Sequence, residues 1–168
     1  LNDYDKTILS VFADAPEKPG DVPAPGASGV LRVEGWVDAP GADGVLEVPK
    51  DVKEIYLAPG SVLNARLKIG HPGVRLHGRG MILDPMSDIF RYDQILNPLR
   101  GVVVIEAADV TVEGVKLVDA RTFNLLSWNE GAVLRNVKLL SSMMCSDGFT
   151  IGGRNLRVDN AWLYVGDN

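Results

Sequence analysis

An all-β solenoid, in which short strands stack coil upon coil into parallel sheets, is the fold class this sequence predicts, and three observations predict it. Residues 110–117, 133–139 and 156–163 align on one another with a small or amide residue, Gly114, Asn136 or Asn160, at the same corner of each. Those corners are 22 and 24 residues apart, a period in the range of repeat architectures. Between the corners, β-branched residues and leucine alternate with polar residues at the two-residue period of a strand. Almost no helix-period stretch occurs beyond residues 1–12.

Composition agrees. The chain has 168 residues, 46% of them hydrophobic, with 18 Gly and 10 Pro, enough for one core richly punctuated by turns. Residues 13–29 hold four prolines and three glycines and are expected to form an extended, poorly ordered connection, either a linker or a wrapped strap. Strand runs follow at 30–37, 44–48, 54–57 and 61–69, separated by Ala39-Pro40-Gly41, Pro49-Lys50-Asp51 and Ala58-Pro59-Gly60. Residues 74–78 fit the same frame with Gly78 at the corner, 36 residues before Gly114. The excess falls in 84–100, which lacks strand alternation and reads as an inserted loop. Two parts result: an N-terminal segment and linker over 1–29, and β-helix coils over 30–168. Val112, Val115, Leu117, Val137, Leu139, Val158 and Leu163 are the expected core.

Net charge is −5 with no run of basic residues, which argues against nucleic acid or an anionic membrane surface as partner. No stretch approaches the roughly 20 apolar residues of a membrane span. No basic segment, apolar run and small-residue cleavage site open the chain, which leaves a cytoplasmic location or a signal already removed. A single cysteine, Cys145, excludes an internal disulfide.

Two acidic tripeptides stand out, Ser146-Asp147-Gly148 and Gly166-Asp167-Asn168, 20 residues apart at the ends of apolar runs. That interval is close to one coil, so both carboxylates can project from one face of a stacked sheet although they are distant in sequence. Paired carboxylates in a cleft suggest glycosidic bond cleavage. Each aspartate alone has an ordinary reading as a turn residue. Asn136, Asn155 and Asn160 read as corner residues. His71 and His77 lie near turns with no acid or nucleophile partner visible by spacing, and Cys145 has no histidine partner by any local signature. Trp36 and Trp162 occupy strand positions and read as core or packing, whereas Trp128, in Leu126-Ser127-Trp128-Asn129-Glu130, is the candidate for a substrate-binding cleft wall. Gly78-Arg79-Gly80 and Gly152-Gly153-Arg154 lack the strand, loop and helix context of a phosphate cradle and read as turns.

The stretch from Val137 to Gly148, followed by that from Asn155 to Asn168, resembles the active-site coils of parallel β-helix glycoside hydrolases of the polygalacturonase-like and dextranase/isopullulanase-like families. Their pattern is Asn-Thr-Asp-Gly and then, about one coil later, Gly-Asp-Asp. Residues 55–64 and 74–84 resemble the early coils of the same families, so the resemblance covers roughly 30–168. It implies a right-handed, pectin-lyase-like parallel β-helix and a secreted or periplasmic enzyme. Its partner would be a polysaccharide or oligosaccharide substrate, with neither cofactor nor metal. By that resemblance Asp167 matches the general acid, Asp147 matches one water-activating base, and Asn168 occupies the position of the other.

Two positions depart from the pattern. Cys145-Ser146 stands for Asn-Thr, and Asn168 stands for the second aspartate of the pair; an amide holds a water but cannot take its proton. A slower enzyme, a base supplied elsewhere, an inactivated variant and a relative that binds without cutting all remain open. The coil offset of 24 sets residue 143, not Asp147, beneath Asp167, which argues against direct superposition and for a longer carboxylate separation. Separations of about 6.5–9.5 Å accompany inversion, so inversion is the expected outcome. The rival expectations are a non-catalytic carbohydrate-binding or tailspike-like β-helix, and a polysaccharide lyase or epimerase. Because a solenoid needs a polar cap on its last coil, the reading also expects further coils, in contiguous sequence or a second chain, and an isolated 1–168 that is not a stable monomer.

Overall fold

The computed structural model describes residues 10–41, 43–85, 101–142 and 146–166, and they form a parallel β-helix. Three parallel sheets share the coils. Sheet A stacks β1 (Val30–Val33), β4 (Glu54–Leu57), β7 (Arg75–Gly78), β10 (Thr111–Glu113), β13 (Val133–Arg135) and β16 (Arg157–Asp159). Sheet B stacks β2 (Trp36–Asp38), β5 (Val62–Asn64), β8 (Met81–Leu83), β11 (Lys116–Val118), β14 (Lys138–Leu140) and β17 (Trp162–Tyr164). Sheet C stacks β3 (Val45–Glu47), β6 (Arg66–Ile69), β9 (Gly101–Ile105), β12 (Phe123–Ser127) and β15 (Phe149–Ile151). The only helical turn among the described residues is the 3-10 turn Pro19–Asp21. Most of the helix-period stretch 1–12 lies outside the described residues, as do residues 86–100 of the insertion.

The register follows the sequence period. Thr111 pairs with Arg75 on one side and Val133 on the other, and Val133 pairs with Arg157, which reproduces the spacings of 36, 22 and 24. The corner between sheets A and B is closed by left-handed residues in a column: Gly114 (φ 77°), Asn136 (φ 53°) and Asn160 (φ 53°). Glycine is required at 114 because a Cβ there would stand 2.1 Å from Arg79 Nη1 and 2.6 Å from the Gly78 carbonyl. Asparagine tolerates left-handed backbone, and Asn160 Nδ2 also donates to Asn136 Oδ1 at 2.6 Å, tying one coil to the next.

Alternate residues turn inward and fill the coil. Leu63, Ile82, Leu117 and Leu139 form one aligned column, and Ile55, Leu76, Val112 and Leu134 another, all buried. Val112, Val115, Leu117, Val137 and Leu139 are therefore core, as expected, but Val158 and Leu163 are each 44% exposed. They belong to the last coil, and no further coil among the described residues covers them. Trp36 and Trp162 also differ from expectation. Both lie on the outer column Trp36–Val62–Met81–Lys116–Lys138–Trp162 of sheet B and are exposed.

Residues 12–23 run as a strap along the A/B corner and touch successive coils in turn. Pro23 O accepts from Arg32, Glu17 from Tyr56 Oη at 3.0 Å, and Ala15 O from Arg79 Nε and Nη2 at 3.2 Å. Asp14 pairs with Lys116 and Lys138, and the Phe12 ring meets Trp162 edge to face at 5.1 Å. Burial raises the Asp14 pKa, but the hydrogen bond and charge of Lys138, with Lys116 beside it, outweigh that and hold the carboxyl below its ordinary value.

Candidate functional site

The corner between sheets B and C positions the first acidic tripeptide. Ser146, Asp147 and Gly148 lead into β15, which lies in parallel register beside β12, with Leu125 opposite Phe149. The ladder extends backward past the strand, Leu125 N–H donating to Gly148 O at 3.2 Å and Asn124 N–H to Asp147 O at 2.9 Å. Asn124 Nδ2 donates to Asp147 O at 2.9 Å and to Ser146 O at 3.2 Å. Its Oδ1 accepts from Ser141 Oγ at 3.0 Å, and Ser141 Oγ accepts from Ala120 N–H at 2.8 Å. Asn124, Ser141 and Ser146 are all buried. A buried network whose members are satisfied fixes backbone position firmly, so the backbone of Asp147 is held by Asn124 through both its main-chain and its side-chain N–H groups.

Ser146 also reaches the second tripeptide. Gly166 N–H donates to Ser146 Oγ at 3.0 Å, so the residues immediately preceding Asp147 and Asp167 in the chain are hydrogen-bonded to each other. Asp167, Asn168 and Cys145 themselves lie outside the described residues. The strand register in sheet B sets Leu140 opposite Tyr164, an offset of 24, while the Ser146–Gly166 bond spans 20. The difference is taken up between Ser141 and Ser146. Ser146 thus lies within hydrogen-bond reach of Gly166, and Ser146 Oγ also approaches Ser141 O at 3.4 Å; the expected separation of the two carboxylates involves Asp167, which lies outside the described residues.

The same corner carries a buried ion pair two coils earlier. Asp84 accepts from Arg66 Nε at 2.9 Å and from Arg121 N–H at 3.1 Å. Arg121 Nε and Nη1 are buried without a partner among the described residues.

Trp128 lies elsewhere. It follows β12 at the far end of sheet C, five residues beyond the level of Asp147 in the β12–β15 register, or about 16 Å at the rise of a parallel strand. The structure thus brings Ser146 and Gly166 together at one corner and sets Trp128 apart from Asp147. A depression of about 300 Å³ lined by Val104, Ile105, Glu106, Leu126, Trp128 and Asn129 lies at its end of the sheet.

Asn124 and Ser141 were not singled out from the sequence, although a signal existed. The coil offset of 24 sets Asn124 across from Gly148, the residue after Asp147. The coil offset also answers the histidines: His77 Nε2 lies 2.7 Å from Glu54 Oε1, one coil below, and His71 Nε2 lies 2.7 Å from Val52 O. The acid partner of His77 is invisible to local spacing because it comes from the preceding coil. Asn136, Asn155 and Asn160 are left-handed corner residues. Among the described residues no group of three His, Cys, Asp or Glu side chains could hold a metal ion, and no helix is long and apolar enough to cross a membrane. Comparison with protein-family models, with curated proteins and with solved structures finds no match to this chain.

Proposed function

We propose that the protein is a glycoside hydrolase that cleaves a polysaccharide at the B/C corner, with Asp147 and Asp167 as its acid and base. The observation that carries this reading is the 3.0 Å hydrogen bond from Gly166 N–H to Ser146 Oγ, which joins the two acidic tripeptides, together with their likeness to the active-site motifs of the polygalacturonase-like and dextranase/isopullulanase-like hydrolases. Asp167 gives its proton to the glycosidic oxygen as the bond to the anomeric carbon breaks. Asp147 takes a proton from the water whose oxygen forms the new bond, and Asn168 holds that water through its amide. Inversion of configuration is the stereochemical outcome of a water-spaced pair. A polymer substrate places the enzyme outside the cell or in a periplasm.

The reading of a carbohydrate-binding β-helix without turnover has one observation in its favour, the amide of Asn168 where the resembling families carry a carboxylate. One experiment decides between them. Wild type, Asp147→Asn and Asp167→Asn are assayed for new reducing ends on dextran, pullulan and polygalacturonate. Hydrolysis by wild type that falls by about 10²–10⁴ in kcat in each variant is the expected result. Equal turnover by the parent and both variants would sink the acid assignment.

A further inference from the structure

Three tryptophans are described, and they differ in what remains free on each. Trp36 spends its indole N–H on Asp38 Oδ1 at 2.9 Å. Trp162 is packed between Phe12, at 5.1 Å, and Tyr164, at 6.3 Å. Trp128 is 68% exposed and has no hydrogen-bond partner for its indole N–H among the described residues.

Trp128 is also held unusually well for an exposed side chain. Ser127 O accepts from Gly152 N–H at 2.7 Å, and Asn129 Nδ2 donates to Ile105 O at 2.6 Å, so both sequence neighbours are tied to adjoining coils. The ring rests on Gly152, where a Cβ would stand 2.6 Å from Cε3 and 2.8 Å from Cζ3. Any larger residue at 152 would displace it. Beside the ring, Val104 and Leu126 are lateral partners on sheet C and line the 300 Å³ depression together with Glu106 and Asn129. A pre-placed aromatic face beside both apolar and polar lining groups suits a ligand that is apolar on one face and hydroxylated at its edge. A pyranose ring has that character.

Charge narrows the choice of sugar. Lys68 lies 3.2 Å from Glu47 and 3.4 Å from Glu106, so one ammonium serves two carboxylates and this triad carries one surplus negative charge. A polyanionic chain is repelled there, and a neutral one is not.

We infer that the outer face of sheet C carries a glycan-binding subsite centred on Trp128, which takes a pyranose ring of a neutral polysaccharide several sugar units away from the B/C corner. Binding at this subsite needs no turnover; only its service to the acid corner rests on the proposed hydrolase activity. The Trp128 ring stacks on the sugar, its N–H donates to a hydroxyl, and Glu106 and Asn129 Oδ1 accept from others.

The test is electrophoresis of the full chain through native gels containing dextran, pullulan or polygalacturonate, with wild type, Trp128→Ala, Trp128→Phe and Asp147→Asn run together. Circular dichroism confirms that each variant is folded. Wild type and Asp147→Asn should be retarded by a neutral glucan and not by polygalacturonate. Trp128→Ala should weaken that retardation at least about fivefold, and Trp128→Phe should keep part of it, in line with the cost of losing one stacking aromatic. No retardation of wild type in either neutral glucan, or equal retardation of wild type and Trp128→Ala, overturns the inference. Hydrolysis that persists with unchanged binding in Trp128→Ala removes the subsite and leaves the hydrolase reading standing. Trp128-dependent retardation without hydrolysis removes the hydrolase reading and leaves the subsite.

Discussion

Along the A/B corner two residues separate successive strands in five of six coils (34–35, 79–80, 114–115, 136–137 and 160–161), whereas along the B/C corner the separating segments are 39–44, 65, 84–100, 119–122 and 141–148. One corner is nearly uniform and the other changes with every coil. The uniform corner is where left-handed Gly114, Asn136 and Asn160 stack, and each fixes which side chains of the next strand face inward. The variable corner carries the network around Asp147. Regular corners set register, and irregular ones supply room for side chains that the core does not need.

The largest expected effect comes from breaking the uniform corner. A single glycine inserted between Gly114 and Val115 would reverse the inward and outward sets of β11, turning buried Val115 and Leu117 toward solvent. At roughly 1.5–3 kcal/mol per exposed side chain, cooperative urea unfolding should be lost. The same insertion between exposed Pro40 and Gly41, on the variable corner, should lower stability by less than about 1 kcal/mol, since loop closure depends only weakly on length. Equal losses at both places would show that the two corners do not differ in kind.

A smaller effect should follow from Ser146→Ala. The substitution removes the acceptor of Gly166 N–H and should cost about 0.5–1.5 kcal/mol, the net worth of a hydrogen bond, because Gly166 is exposed and water can take the place of the hydroxyl. Hydrogen exchange of the Gly166 amide should accelerate, while that of Lys138 and Leu139 in β14 keeps its parent rate. Unchanged exchange at Gly166 would mean that the two acidic motifs are held together by something other than Ser146.

The smallest effect belongs to the strap. Because the folded-state pKa of Asp14 lies below its ordinary value, the Asp14 contribution is complete above the ordinary aspartate pKa. It disappears as pH falls through the lowered folded value. The amount should be under about 1 kcal/mol, because solvent screens a pair at the surface. Asp14→Asn should abolish that part of the acid-side dependence in thermal unfolding scans between pH 5 and pH 2. An identical profile in parent and variant would remove Asp14 from the strap's attachment.

The difference between the corners also explains what was legible in the sequence. Offsets of 22 and 24 between Gly114, Asn136 and Asn160 gave the register of the coils that carry them, because a two-residue corner leaves no freedom once its left-handed residue is placed. The candidate site was legible as a pair of motifs but not as a geometry. Strand register alone set residue 143 across from Asp167, and nothing local to 141–148 announced that Ser146 would turn back to Gly166. Asn124 escaped notice because its role is played on the next coil, as did the Glu54 partner of His77. Trp128 was marked as a cleft wall from its setting in the sequence, and its distance from Asp147 follows from the β12–β15 pairing and not from its neighbours in sequence. The exposure of Trp36 and Trp162 was missed because strand position fixes alternation but not which of the two faces is the inner one.

The strap also changes how distant coils communicate. In a simple solenoid each coil touches only the next, so fraying at one end is felt at the other only through every coil between. Here Pro23 meets Arg32 of the first coil while Phe12 meets Trp162 of the last described one. Peeling β17 away from β14 must therefore also release the Phe12 ring, and any loosening of the strap near Pro23 reaches Trp162 along twelve residues of its own backbone. A one-dimensional stack acquires a tie rod, and opening at the coil of β17 becomes linked to the state of the coil of β1.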